Sequence, residues 1–189
     1  MNKIILASGS PRRKQLLELA QIPFEVMVSN VDERFPVEFT PAQVAMHIAE
    51  NKAVAVQKNK TNGEAQTIIA AETVVVLEND ILGKPVERED AVKMLSKLSG
   101  KTHKVITGVC ILSVEKKIIF AEETEVEFLS LTKDQIEYYI DHFKPYDKAG
   151  AYAIQEWIGV VGIKSVNGNF YNVIGLPISR VIIELQKIK

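Results

Sequence analysis

The chain has 189 residues, of which 47% are hydrophobic and 25% charged, values that bound it to a globular protein with a sizeable core. Its 23 Lys+Arg against 24 Asp+Glu leave a net charge of −1, and 7% of the residues are aromatic. That balance argues against a nucleic-acid polymer as partner, a polybasic membrane anchor and an acidic disordered tail, and the few aromatics argue against a single-strand stacking platform.

Ile4–Ala7 reads as a buried strand running into Ser8-Gly9-Ser10-Pro11. Ser10 suits an N-cap and Pro11 the first helical position, where a missing N–H costs nothing. Leu16, Leu17 and Ala20 continue a helical stripe, and Phe24–Val28 is a second short strand. Asp32–Pro36 is a charged loop. Thr40-Pro41-Ala42-Gln43 is a capping box opening a helix that carries Val44, Ile48 and Ala55 inward, with Lys52 one turn beyond Ile48. Thr67–Leu77 is almost continuously apolar, the pattern of a strand buried on both faces, and Glu72 interrupts it.

A turn at Asn79-Asp80 leads back through Ile81-Leu82 to Gly83-Lys84-Pro85. Glu89–Leu98 is a helix ended by Gly100. Strands are expected at Lys104–Val114 and Lys117–Phe128. A second capping box, Thr132–Gln135, opens a helix that runs to Phe143 and stops at Pro145. Asn167-Gly168 is a hairpin signal between strands Val160–Val166 and Phe170–Val173. Ile178–Ile188 is a closing helix. The whole is α/β or α+β, with hairpins that make an all-parallel sheet implausible.

Cys110 is the single cysteine, so no intramolecular disulfide forms. With His47, His103 and His142 well separated in the chain, a Cys/His zinc site is excluded too. Ile4–Ala7 is too short for a signal sequence or a membrane span, and a reducing compartment is expected. In that setting the glycosylation sequon Asn59-Lys60-Thr61 is a chance match.

Several residues carry possible chemistry. Ser8 and Ser10 precede a helix that opens with Arg12, Arg13 and Lys14. Free N–H groups, hydroxyls and guanidinium groups at a helix start grip phosphate; the plainer reading is a capped helix with solvated cations. A carboxylate inside an apolar strand, as at Glu72, must be paired or hold a metal. Glu33 and Glu72 are hard oxygen ligands suited to Mg²⁺ or Mn²⁺, and Arg13, Lys52 and Lys84 suit a polyphosphate. A near-neutral total can thus hide a basic cleft. Spacing alone does not show that these groups converge.

The segment Leu6-Ala7-Ser8-Gly9-Ser10-Pro11-Arg12-Arg13 closely resembles the Maf family of nucleoside triphosphate pyrophosphatases. The likeness continues through Val31-Asp32-Glu33, Ala49–Ala53, Ala71–Val75, Leu82–Pro85, Leu98–His103, Asp147–Gln155 and Tyr171–Pro177. The resemblance implies one domain over residues 1–189, of the inosine-triphosphate-pyrophosphatase-like fold: a long mixed sheet flanked by helices, with two lobes and a deep cleft. It implies a cytoplasmic hydrolase, commonly a homodimer, that uses a divalent cation to release pyrophosphate and leave a monophosphate. Family members are linked to clearing modified nucleotides and to arrest of septum formation.

By the same resemblance, Glu33, Lys52, Glu72 and Lys84 are the catalytic set, with Glu33 and Glu72 as metal ligands. Ser8, Ser10 and Arg13 bind phosphate. Arg12, Thr73 and Gln155 match the branch that cleaves dTTP and UTP; the 7-methyl-GTP branch has Trp, Gln and Glu there. An amide both donates and accepts, which suits the edge of uracil or thymine. Two departures stand out. Ala153 replaces a frequent Gly, with little effect expected. Glu72 stands where the family has Asp, and its extra methylene shifts the carboxylate by about 1.5 Å, against a tolerance of about 0.5 Å for catalytic groups. The explanations are a natural variant with an adjusted pocket, an engineered substitution, or a weakly active nucleotide-binding regulator. A pyrophosphatase acting on 7-methyl-GTP or on modified pyrimidine triphosphates would also account for the same residue types.

Overall fold

The computed structural model describes residues 3–28, 30–59 and 66–188; Lys60 and Thr61 of the sequon lie outside the described residues. The first strand, β1 (Lys3–Leu6), leads into helix α1 (Pro11–Leu19), and β2 (Phe24–Val26) and α2 (Pro41–Lys58) follow. Next come β3 (Gln66–Leu77), β4 (Asp80–Leu82), α3 (Arg88–Leu98), β5 (Thr102–Leu112) and β6 (Lys117–Phe128). The chain closes with α4 (Lys133–Phe143), α5 (Trp157–Gly162), β7 (Ile163–Asn167), α6 (Phe170–Ile174) and α7 (Ile178–Gln186).

The seven strands form one sheet in the order β2-β1-β3-β5-β6-β7, with β4 also paired to β3. β1 lies parallel to β2 and to β3, whereas β3–β4 and β6–β7 are antiparallel, so the sheet is mixed as expected. No described helix is long and apolar enough to cross a membrane.

The chain divides into two compact units. The first comprises Met1–Glu72, Thr107–Glu122 and Gly175–Lys189. Its core joins Ile5, Ala7, Ile68, Ala70, Cys110 and Leu112 of the sheet strands and their ends to Ala49, Ala53 and Val56 of α2. Residues Ala45, Ala49 and Ala53 recur every four positions, which puts three small side chains on one helix face. That face lets α2 approach β5 closely. A Cβ on Gly108 would lie 2.2 Å from the backbone carbon of Ala45. The inward positions therefore include Ala53 and Val56, while Ala55, expected inward, is only half-buried. Burial pushes the Cys110 thiol up to about 12, so it is an inert core group.

Both capping boxes form. Gln43 N–H donates to the Thr40 hydroxyl at 3.3 Å and Thr40 N–H returns a bond to Gln43 Oε1 at 2.9 Å. Thr132 and Gln135 repeat the exchange at 3.2 and 2.9 Å.

The second unit comprises Thr73–Ile106 and Glu123–Ile174. Its core gathers Val75 and Leu77 from β3, Leu95 and Leu98 from α3, Phe128 from β6, and Ile136, Tyr139 and Ile140 from α4. The β3–β4 turn falls at Glu78-Asn79, one residue before the expected position, because Glu78 takes the left-handed conformation (φ 58°) and Leu77 pairs with Asp80.

The largest misreading is around Asn167-Gly168. Residues 157–162 are helix, and Phe170–Ile174 is a short helix where a hairpin strand was expected. The cause is local capping: Asn169 Oδ1 accepts from Tyr171 N–H at 2.9 Å and Asn172 N–H at 3.2 Å. A helical turn, not a strand, follows the Asn-Gly pair.

His103 is buried in this unit, stacked on Phe128 and edge-on to Tyr152, whose hydroxyl lies 2.7 Å from its Nε2. Burial lowers its pKa from 6.5 to about 4. The imidazole is therefore neutral when folded, and the unfolded chain binds the extra proton between those values. Its contribution is fully present above pH 6.5 and is lost as pH falls toward 4, amounting to roughly 3 kcal/mol. Urea unfolding of the wild type and of His103→Phe between pH 7 and pH 4 should show a steeper acid loss in the wild type. Parallel profiles would refute it.

Candidate active site

In the first unit the chain leaves β1, passes Ser8, and enters α1 at Pro11. Ser8 is buried, and its hydroxyl oxygen accepts from Arg13 Nη1 at 3.1 Å and from Ser10 N–H at 3.3 Å. Ser10 occupies the N-cap position, but its hydroxyl makes no capping bond. Arg13 is buried on the inner face of α1 and donates through Nε to the Gly175 carbonyl at 2.9 Å. Burial lowers the Arg13 pKa; the negative charge of Glu72 opposes that, Arg12 adds to it, and Glu33 opposes it. Glu72, Arg12 and Glu33 thus all lie within electrostatic reach of this guanidinium.

A second cluster centres on Lys52, presented by α2. Its Nζ sits 2.5 Å from Glu72 Oε2 and 2.7 Å from Glu33 Oε1. Glu72 comes from the middle of β3 and Glu33 from the loop between β2 and α2. The ion pair answers the energetic objection to a carboxylate in an apolar strand. Its reach also bears on the extra methylene: Glu72 closes fully on the lysine. The neighbouring Asp32 turns away to Arg34, whose Nε donates to it at 2.6 Å and holds its carboxyl below the ordinary value. Of the Asp32-Glu33 pair, only Glu33 joins the cluster.

The donor set can be tested for a divalent cation. Two carboxylates lie against one nitrogen, and the described residues contain no group of three or more His, Cys, Asp and Glu suited to a metal. Mg²⁺ and similar ions are commonly held by one or two carboxylates, with water and substrate phosphates completing the shell. Glu33 and Glu72 fit that pattern.

The second unit carries the other three residues. Thr73 is half-buried in β3. Lys84 is exposed in the Gly83–Pro85 turn, which is anchored where Gly150 N–H donates to the Gly83 carbonyl at 2.9 Å. Gly150 is left-handed (φ 68°), and a Cβ there would come within 3.0 Å of Val75. Gln155 is exposed at the corner of a turn closed by Glu156 N–H donating to the Ala153 carbonyl at 3.0 Å.

Sequence reasoning gave no role to the Gly175 carbonyl that holds Arg13, nor to Tyr139, Lys148 and Glu156 around Gln155. Main-chain acceptors leave no residue-type signal, and Tyr139 lies far from Gln155 in sequence. Lys148 was visible inside the Asp147–Gln155 block.

A mixed α/β chain with this cluster of cations and carboxylates invites comparison with known families. The Maf-like protein family model matches residues 3–188. The chain belongs to that family. It is 51% identical over 184 residues to a dTTP/UTP pyrophosphatase of Cytophaga hutchinsonii, covering 97% of this chain and 83% of the relative. It is 48% identical over 187 residues to a dTTP/UTP pyrophosphatase of Bacillus mycoides, covering 99% and 96%. A dTTP/UTP pyrophosphatase of Parabacteroides distasonis is 45% identical over 185 residues, covering 97% and 95%. Among solved structures, the Staphylococcus aureus Ham1 protein aligns with a TM-score of 0.49 and 14% identity, over 67% of this chain and 72% of that one.

Proposed function

We propose that this chain is a nucleoside triphosphate pyrophosphatase that hydrolyses dTTP and UTP to the monophosphate and pyrophosphate. The observation that carries the reading is the single lysine, Lys52, held by both Glu33 and Glu72. The names of the relatives favour dTTP and UTP over 7-methyl-GTP. We place the activity in one domain over residues 1–189, acting as a cytoplasmic homodimer.

Ser8, Ser10 and Arg13 bind phosphate oxygens, with the guanidinium fixed in advance by Ser8 and Gly175. Lys52 and Lys84 neutralise charge developing on the phosphates. Glu33 and Glu72 would hold a divalent cation, Mg²⁺ or Mn²⁺, which when bound supplies further neutralisation of phosphate charge. A water oxygen bonds to the α-phosphorus, its proton passes to Glu72, and the α–β bridging P–O bond breaks. Pyrophosphate leaves with the bonding electron pair. Arg12, Thr73 and Gln155 select the base.

Incubation with Mn²⁺ and a nucleotide panel should release pyrophosphate from dTTP and UTP ahead of purine triphosphates. Release of orthophosphate, or faster cleavage of purines, would overturn the assignment.

A further inference from the structure

Tyr139 sits in the core of the second unit, yet its hydroxyl is fully engaged at a turn of the chain. It accepts from Ala153 N–H at 3.1 Å and donates its one proton to Glu156 Oε2. Ala153 and Glu156 are the first and last residues of the turn that carries Gln155. One oxygen therefore ties both ends of that turn. Behind it, Glu156 Oε1 lies 3.4 Å from Lys148 Nζ, a buried cation also paired with Asp147 at 2.7 Å. From the other side α5 lies against the turn, since a Cβ on Gly159 would sit only 1.7 Å from the Ile154 carbonyl oxygen. The turn is held at its ends, its far carboxylate and its back, while Gln155 alone stays exposed.

We propose that Tyr139 is a positioning residue for base selection: its hydroxyl, with Glu156 and Lys148 behind it, fixes the backbone from which Gln155 reads the pyrimidine edge. This rests on the assignment of Gln155 above. A side chain presented from a fixed backbone loses less freedom on binding and holds its hydrogen-bond geometry against the wrong base. Packing alone would need only the aromatic ring, which phenylalanine supplies.

The test compares Tyr139→Phe, Glu156→Ala, Glu156→Gln and Gln155→Ala with the wild type, measuring kcat and KM for dTTP and dCTP. Tyr139→Phe should raise KM for dTTP and lower the dTTP-to-dCTP ratio of kcat/KM by about tenfold, with kcat changed by less than about threefold. Glu156→Ala cuts the same link from a half-buried position and should reproduce the loss, which keeps the test open if Tyr139→Phe folds poorly. Glu156→Gln retains an acceptor for the hydroxyl and should restore most of the ratio. An unchanged ratio in Tyr139→Phe and Glu156→Ala, beside a collapsed ratio in Gln155→Ala, overturns the Tyr139 inference alone. An unchanged ratio in Gln155→Ala overturns the base-selecting role of Gln155 and this inference with it.

Discussion

Glu72→Gln is expected to lower pyrophosphate release from dTTP by about 1,000-fold while the protein still binds the nucleotide, since a positioned general base contributes on the order of 100- to 10,000-fold. The amide cannot take the proton from water. It also removes a negative charge that interacts favourably with the Arg13 guanidinium and so competes with phosphate for it, so phosphate affinity should hold or rise. Glu72→Asp keeps the charge but draws it back from Lys52, where Glu72 now reaches to 2.5 Å. Its rate should fall by about tenfold or more, given the narrow tolerance of catalytic geometry. Pyrophosphate assays beside direct dTTP binding separate these outcomes. Wild-type turnover by Glu72→Gln would remove Glu72 from the mechanism, and a faster Glu72→Asp would mean that the longer side chain limits the natural rate.

A large stability effect should come from Gly108→Ala. A Cβ at this position would fall 2.2 Å from the Ala45 carbon and 2.3 Å from the Met46 nitrogen. Both are backbone atoms of α2, so no side chain can swing aside and the helix itself must shift. Overpacking of this kind costs about 3 kcal/mol, or roughly 10 °C in Tm for a chain of this size. Gly83→Ala is the internal control: nothing lies within 4 Å of its Cβ position, and its stability should stay within about 0.5 kcal/mol. Thermal and urea unfolding of the two variants would decide it. Equal stability would show that α2 and β5 are not locked at Gly108.

Local rules held where the elements depend on neighbours in sequence. Thr40 with Gln43 and Thr132 with Gln135 form the expected reciprocal caps, and the apolar run around Glu72 is the long strand β3. They failed where two local signals competed. Asn167-Gly168 favoured a hairpin, but the Asn169 side chain bound the next N–H groups and turned Phe170–Ile174 into a helix. The strand expected over Lys104–Val114 ends earlier, at Leu112, because Ser113 and Lys116 close a turn through Ser113 N–H and the Ser113 hydroxyl. Ala55 shows the same limit at one residue: α2 carries alanines on more than one face, and only packing selects which of them are covered.

The site was legible as a set of residue types. Ser8 and Arg13 at a helix start and Glu72 in an apolar strand stand out in their local pattern, whereas Glu33 and Lys52 are weak signals alone and take their candidate roles from the family resemblance. Their pairing could not be named, since Glu33, Lys52 and Glu72 lie on a loop, a helix and a strand about 20 residues apart each. The hydroxyl clamp on the Gln155 turn was equally hidden, because Tyr139 reads in sequence as a buried aromatic of α4.

By itself, then, the sequence determined this protein's mixed α/β class, its helix starts and the inventory of its charged groups. Each of these follows from hydrophobic period and hydrogen bonds between residues a few positions apart. The tertiary structure decided that Lys52 joins Glu33 to Glu72, that Gly108 must be bare for α2 to cross β5, and that Tyr139 holds the Gln155 turn. Those outcomes depend on atoms brought within van der Waals or hydrogen-bond distance by packing, and such distances are set by the core as a whole, not by any segment of the chain.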